Sequence, residues 1–192
     1  MKNIEKYYDN TEDLNPNKIV KKFIELNIEP NSAIELGCGA GRDSIYLIKN
    51  GWKVLAIDKE DVKARISKKL NKEELKRFRF SKQNFESLEL ECTNLLVANF
   101  SLSFCDKNYF KELWNKINNS ILKDGYFVGN FFGNNDEWKN SNNKMTFLTK
   151  DQVIELFKQF NIISFKEFEK DGNTALGEAK HWHIFFIIAK KK

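Results

Sequence analysis

Short apolar runs alternate with stretches of helical period along most of the chain, and that alternation confines it to an α/β fold built on a mainly parallel sheet. Ile19, Val20, Phe23 and Ile24 share one helical face, and Pro30 is expected to stop that helix. Residues 32–36 read as a first strand running into a glycine-rich turn, and 42–49 as a helix closed by Asn50-Gly51. Residues 53–58 are near-continuously apolar, as a parallel strand covered on both faces must be. A lysine-rich helix is expected next, then strands at 78–83 and 95–100. Phe110, Leu113, Trp114, Ile117 and Ile121 keep helical spacing before a turn at Lys123-Asp124-Gly125 and a fifth strand at 126–131. The polar, asparagine-rich stretch 133–144 predicts a lid or a mobile loop. Thr149 to Gln152 spells a capping box that opens a further helix. Two last strands, 162–168 and 183–189, are joined by 171–180 without a helical period, so they must pair antiparallel.

Composition narrows the classes. At 192 residues the chain is one domain, with enough apolar side chains for a core of its own. Its 32 basic and 27 acidic residues give a net charge of +5 that is dispersed, with no basic track for nucleic acid. The longest apolar run, 184–189, is too short to span a bilayer, and the polar N-terminus does not read as a secretory signal. Cys38, Cys92 and Cys105 lack zinc-ligand spacing, so no metal site is expected. They read as reduced thiols, which places the protein in the cytoplasm.

The chemistry concentrates at Glu35-Leu36-Gly37-Cys38-Gly39-Ala40-Gly41, between the first strand and its helix. Glycines there let the backbone turn sharply and approach a ligand beside a helix N-terminus. Asp58 ends the second strand, where a carboxylate can take both hydroxyls of a ribose. Together they indicate an adenosine-containing cofactor. A dinucleotide fingerprint needs a third glycine at position 42, which is Arg42. A sulfonium nucleoside has no pyrophosphate to cradle and carries a cationic amino group, which Glu35 suits.

Residues Ile34 to Ser44 resemble motif I of the class I S-adenosylmethionine-dependent methyltransferases, especially the small bacterial enzymes grouped with the tellurite-resistance and thiopurine methyltransferases. Ser101 to Cys105, Asp136-Glu137-Trp138 and Lys180-His181-Trp182-His183 resemble recurrent segments of the same group. The resemblance implies a Rossmann-like seven-stranded mixed sheet of order 3-2-1-4-5-7-6, with the last strand antiparallel and helices on both faces. It implies S-adenosyl-L-methionine as cofactor and S-adenosyl-L-homocysteine as product. Glu35 with Gly37, Cys38, Gly39 and Gly41 would hold the methionine part, Asp58 the ribose, and Lys59, Asn84 and Phe85 would flank the adenine. Asn99 and Ser101 would lie near the methyl group. Tyr7 and Tyr8 resemble positions of an N-terminal lid within residues 1–30.

Strand direction extends the expectation to the acceptor. Ligands of open α/β sheets bind beyond the carboxyl ends of the parallel strands. The loop carrying Asp136 and Trp138, and the start of the last strand with Lys180, His181 and His183, should reach that edge. His181 and His183 would share one sheet face and are candidate bases. Tyr8 and Arg42 complete the expected acceptor contacts. An N/D-P-P-aromatic segment is absent, since Asn99-Phe100-Ser101-Leu102 stands in its place. The expectation is methyl transfer to a small molecule such as a thiol or chalcogen oxyanion. A non-catalytic cofactor-binding module and an RNA or protein methyltransferase are the competing classes.

Overall fold

The computed structural model describes residues 2–142 and 144–192, so Met1, of the expected lid, and Asn143, of the polar loop, lie outside the described residues. Seven strands form one sheet in the order β3-β2-β1-β4-β5-β7-β6. They are β1 (Ser32–Leu36), β2 (Lys53–Asp58), β3 (Phe78–Lys82), β4 (Thr93–Ala98), β5 (Ile121–Phe132), β6 (Phe160–Asn173) and β7 (Ala179–Lys191). The first five run parallel, and β7 lies antiparallel between β5 and β6.

Helices cover both faces, as the alternation requires. Alternate residues of each strand divide between two cores. Ile34, Leu36, Leu96, Phe127, Phe131, Phe185 and Ile187 pack under α6 (Phe110–Ser120), whose Leu113, Trp114 and Ile117 fill that face. Ala33, Val54, Val97, Val128 and Ile188 pack on the other face. There they meet α2 (Lys18–Ile24), through Ile19, Val20 and Phe23, and α3 (Arg42–Lys49), through Leu47 and Ile48. This second face also takes Tyr8 of the N-terminal helix α1 (Lys2–Thr11).

Several elements depart from the periodicity reading for local reasons. Helix α2 ends well before Pro30, because Asn27 turns into the left-handed region at φ 54°. The lysine-rich stretch makes two short helices, α4 (Lys63–Ser67) and α5 (Lys72–Leu75). Asn71 accepts from the Glu73 and Glu74 N–H groups and starts the second afresh. Strand β5 begins at Ile121, before the expected turn, and Asp124 at φ 63° absorbs that turn as a bulge against β4. The segment 171–180 is mostly strand. It extends β6 and β7 into a hairpin arm closed by a turn at 174–178. Histidines face carboxylates across this arm, with Glu169 opposite His183 and Asp171 opposite His181. The capping box on Thr149 and Gln152 forms as read and opens α7 (Lys150–Leu156).

Candidate functional site

The cradle grows out of one tight turn. Leaving β1, the chain takes positive φ at Gly37 (67°), Gly39 (53°) and Gly41 (82°), and the last of these is the N-cap of α3. Two of these glycines are demanded by space as well. A Cβ on Gly37 would run into the Cβ of Ser101, and one on Gly41 into the side chain of Ile66. Gly37 thus lets the turn rest directly on the chain leaving β4.

Three carboxylates gather round the turn. Asp58 accepts the Gly39 N–H at 2.8 Å and the Glu60 N–H at 3.1 Å, and the Tyr8 hydroxyl stands 3.5 Å from its Oδ1. Glu35 is fully enclosed and accepts from the Ser44 hydroxyl. Burial, with Asp43 adding to it, lifts the Glu35 carboxyl well above its ordinary range. Asp43 itself is buried, accepting from the Asn17 backbone at 2.7 Å, the Asn17 amide at 2.6 Å and the Asn99 amide at 2.9 Å. The chain of amides continues, for Asn130 donates to Asn99 at 3.2 Å and accepts the Phe100 N–H at 3.1 Å. Ser101 Oγ is buried without a partner beneath Gly37. Cys38 is also buried, its thiol pushed up by that burial and by Glu35 and Asp58.

Helix α1 covers this cradle. The rings of Tyr7 and Tyr8 lie 3.7 and 3.9 Å from where a Gly39 Cβ would stand. The Tyr7 phenol is raised by burial, opposed by Arg42 and reinforced by Asp58, Asp43 and Glu35. On its outer side α1 is pinned to α4. Arg65 pairs with Glu5 and Asp9 at 3.0 Å each and with Glu12, while Lys69 pairs with Asp13 at 2.8 Å. Asn10 donates to the Ala175 carbonyl at 2.8 Å, tying α1 to the hairpin tip.

The structure distributes the expected residues unevenly. Glu35, Gly37, Cys38, Gly39, Gly41, Asp58, Asn99, Ser101, Tyr8 and Arg42 converge. Arg42 is half-buried and donates to Asn17 at 2.9 Å. Lys59 and Asn84 are exposed, and Phe85 packs half-buried against the α6-side core. Lys180 is sealed with Asp136 in a 2.5 Å pair whose side chains are 1% and 0% exposed. Trp182, Trp138 and Phe132 enclose its ammonium at 3.7, 4.4 and 5.2 Å. Burial pulls that ammonium down and Asp136 holds it up.

His181 and His183 project from the face of β7 opposite to that of Trp182 and Phe186. The His183 ring lies 4.8 Å from Phe185, on the α6 side. Its Nδ1 accepts the Asn135 N–H at 3.1 Å, and its Nε2 is 3.1 Å from Glu167. His181 is partly exposed between Asp171 at 2.6 Å and Glu169 at 3.4 Å, and these two carboxylates raise its pKa. Against the expectation of no metal-ligand set, Glu167, Glu169 and His183 bring ligand atoms within 4.8 Å of one another. Cross-strand pairing assembles that set, which residue spacing along the chain does not show. The Asn135 bond leaves the proton of a neutral His183 on Nε2, so the set has the geometry of a histidine–carboxylate hydrogen bond. The polar loop is fastened as well. Gly133 donates to the His183 carbonyl at 2.7 Å, Glu137 to the His181 carbonyl at 3.1 Å, and Asp136 accepts the His183 N–H at 3.3 Å.

Asn17, Asp43, Phe100 and Asn130 join the site without having been read from the sequence. Asn130 left a signal, a lone amide inside the apolar run of β5. Asn17 left none, because its role depends on where α2 docks.

Sheet order, glycine turn and acidic strand end together define the class I methyltransferase fold. The profile of the tellurite resistance protein TehB family matches residues 2–171, and the chain belongs to that family. The chain is similar in structure to TehB from Haemophilus influenzae at 16% identity and a TM-score of 0.73, covering 90% of this chain but 61% of that one. It is also similar to the 1,6-didemethyltoxoflavin-N1-methyltransferase of Burkholderia thailandensis, at 17% identity and a TM-score of 0.68, covering 91% and 77% of the two chains. A SAM-dependent methyltransferase from Methanosarcina mazei gives 18% identity and a TM-score of 0.66, covering 93% and 99%. No curated protein matches the sequence significantly. No helix among the described residues is long and apolar enough to cross a membrane.

Proposed function

We propose that the protein transfers a methyl group from S-adenosylmethionine to a small-molecule acceptor. The observation that carries this reading is the glycine cradle closed by buried acids: Glu35, Asp43 and Asp58 form a negative pocket whose natural counter-charge is a cationic nucleoside. The residues present fit such a group. Ser101 Oγ lacks a partner at the cradle floor, and the enclosed Glu35 carboxylate is costly until a cation neutralises it. Asp58 would take the ribose hydroxyls after the Tyr8 hydroxyl moves aside, and the turn from Gly37 to Gly41 would take the methionine end. Structural relatives bound to S-adenosylhomocysteine and sinefungin support the assignment.

When bound, the cofactor supplies an activated methyl, whose bond electrons return to sulfur as the acceptor's lone pair takes the carbon. This chain's residues then have little chemistry to perform. Motif turn and β4 end hold the donor, Tyr7 and Tyr8 exclude water from above, and placement supplies much of the rate. A proton displaced from the acceptor leaves to solvent. The placement of His181 and His183, on the other face and engaged with Glu167, Glu169 and Asp171, favours a structural role for both. The test is release of S-adenosylhomocysteine from S-adenosylmethionine across a panel of small acceptors. Turnover with at least one supports the reading, whereas tight cofactor binding with no release from any supports a non-catalytic module.

A further inference from the structure

We propose that the acceptor is an uncharged molecule carrying a flat ring, and that Phe100, Trp182 and Phe186 select it. This rests on the methyl-transfer reading above and specifies its second substrate. The rings begin one residue from the cradle floor, since Phe100 lies between Asn99 and Ser101, and Ser101 sits directly beneath Gly37. Phe100 holds φ 51°, a left-handed backbone that a phenylalanine adopts only when its surroundings enforce it. The enforcement is visible in the Phe100 N–H bound to Asn130, and in Asn130 wired through Asn99 to Asp43 and Asn17. That buried network turns the ring toward Trp182 and Phe186, each at 6.1 Å with near-perpendicular planes. All three rings remain half-buried, so each keeps some open surface, and Phe186 packs against the same core as Tyr8. Ring edges and faces held in this way suit another flat ring.

Charge decides against the oxyanion that the sequence left open. Glu35, Asp43 and Asp58 already offset a cationic donor, so an anionic acceptor meets like charge. Arg42 is engaged with Asn17, and Lys180, the cation among the described residues in contact with the Trp182 ring, is shut behind it with Asp136. A cationic ring fits no better, because it would stand beside the positive donor sulfur.

The test is calorimetric titration of the protein loaded with sinefungin, whose ammonium carries the positive charge that the donor sulfur would, using 2-naphthol as the neutral ring, 1-methylquinolinium as the cationic ring, and sodium selenite and potassium tellurite as oxyanions. Saturable one-site binding of 2-naphthol is expected, weakened about tenfold or more in Phe100→Asn and in Trp182→Leu. Asparagine tolerates left-handed φ, so the first variant removes the ring without straining the backbone. Leu122→Ala, an exposed apolar residue outside the proposed wall, should change nothing. Unchanged affinity for sinefungin shows that each variant is folded. Saturable binding of either oxyanion with none of 2-naphthol overturns the proposal, as does 2-naphthol affinity indifferent to both ring variants or a preference for the quinolinium. Failure of sinefungin itself to bind counts against the donor assignment instead, and 2-naphthol is then titrated into the free protein with the same criteria.

Discussion

The turn after β1 and the arm made by β6 and β7 are both built around buried charge, but they neutralise it in opposite ways. In the arm the buried ammonium of Lys180 has its partner in Asp136, and His181 stands between Asp171 and Glu169. Around the turn, Glu35 and Asp43 are buried carboxylates served by hydroxyl and amide donors rather than by an ion pair. A region complete in itself reads as framework, and a region with surplus charge reads as a place for a ligand of the other sign.

That contrast can be broken most forcefully in the arm. Lys180→Met leaves Asp136 buried without its cation and should cost about 3–5 kcal/mol in urea unfolding. The double variant Asp136→Leu with Lys180→Met should recover most of the loss. A double variant no better than the single would show that the pair does not act as a unit. Next in size is the cradle. Gly37→Ala forces a Cβ into Ser101 at positive φ and should cost about 2–3 kcal/mol, with weaker binding of S-adenosylhomocysteine. Normal stability and binding in that variant would mean that the turn does not need its close approach to β4.

Smaller effects follow from protonation. The folded carboxyl of Glu35 titrates above its unfolded value, so the folded state holds more protons over the interval between the two. Stability of the ligand-free protein should therefore fall as pH rises through that interval. Glu35→Gln should flatten this slope in melting curves while weakening cofactor binding; an unaltered slope would remove Glu35 as its cause. His181 tilts stability in the same direction for a different reason. Asp171 and Glu169 favour its charged form, so its contribution is complete below its unfolded pKa and fades as pH rises through the raised folded value. His181→Gln should erase this minor slope, read from melting temperatures between about pH 5 and 9.

The cradle was legible because its parts are near neighbours in the chain. Gly37, Gly39 and Gly41 with Glu35 lie in one turn, and Asp58 ends the next strand, so alternation alone brings them together. Sheet order came through resemblance, and the antiparallel end from the lack of a helix between its strands. The length of the hairpin arm was hidden because Lys170 to Lys180 carries no apolar alternation, its pairing being held by cross-strand charge. Which face His181 and His183 take was hidden for a related reason. Alternation states that they share a face, but only the register against β5 and β6 says which one. The Asn17–Asp43–Asn99–Asn130 chain draws three amides and one carboxylate from four separate segments, and no local pattern marks such a set.

The central claim is that the surplus negative charge of the turn is a site for S-adenosylmethionine or its product. Titrating S-adenosylhomocysteine into the wild-type protein and Asp58→Ala by calorimetry tests it most directly. The account predicts one site per chain in the wild type, and an affinity about tenfold or more weaker once the ribose-binding carboxylate is gone, corresponding to about 1.5–3 kcal/mol. No saturable binding to the wild-type protein, or equal affinity in the two proteins, would contradict it.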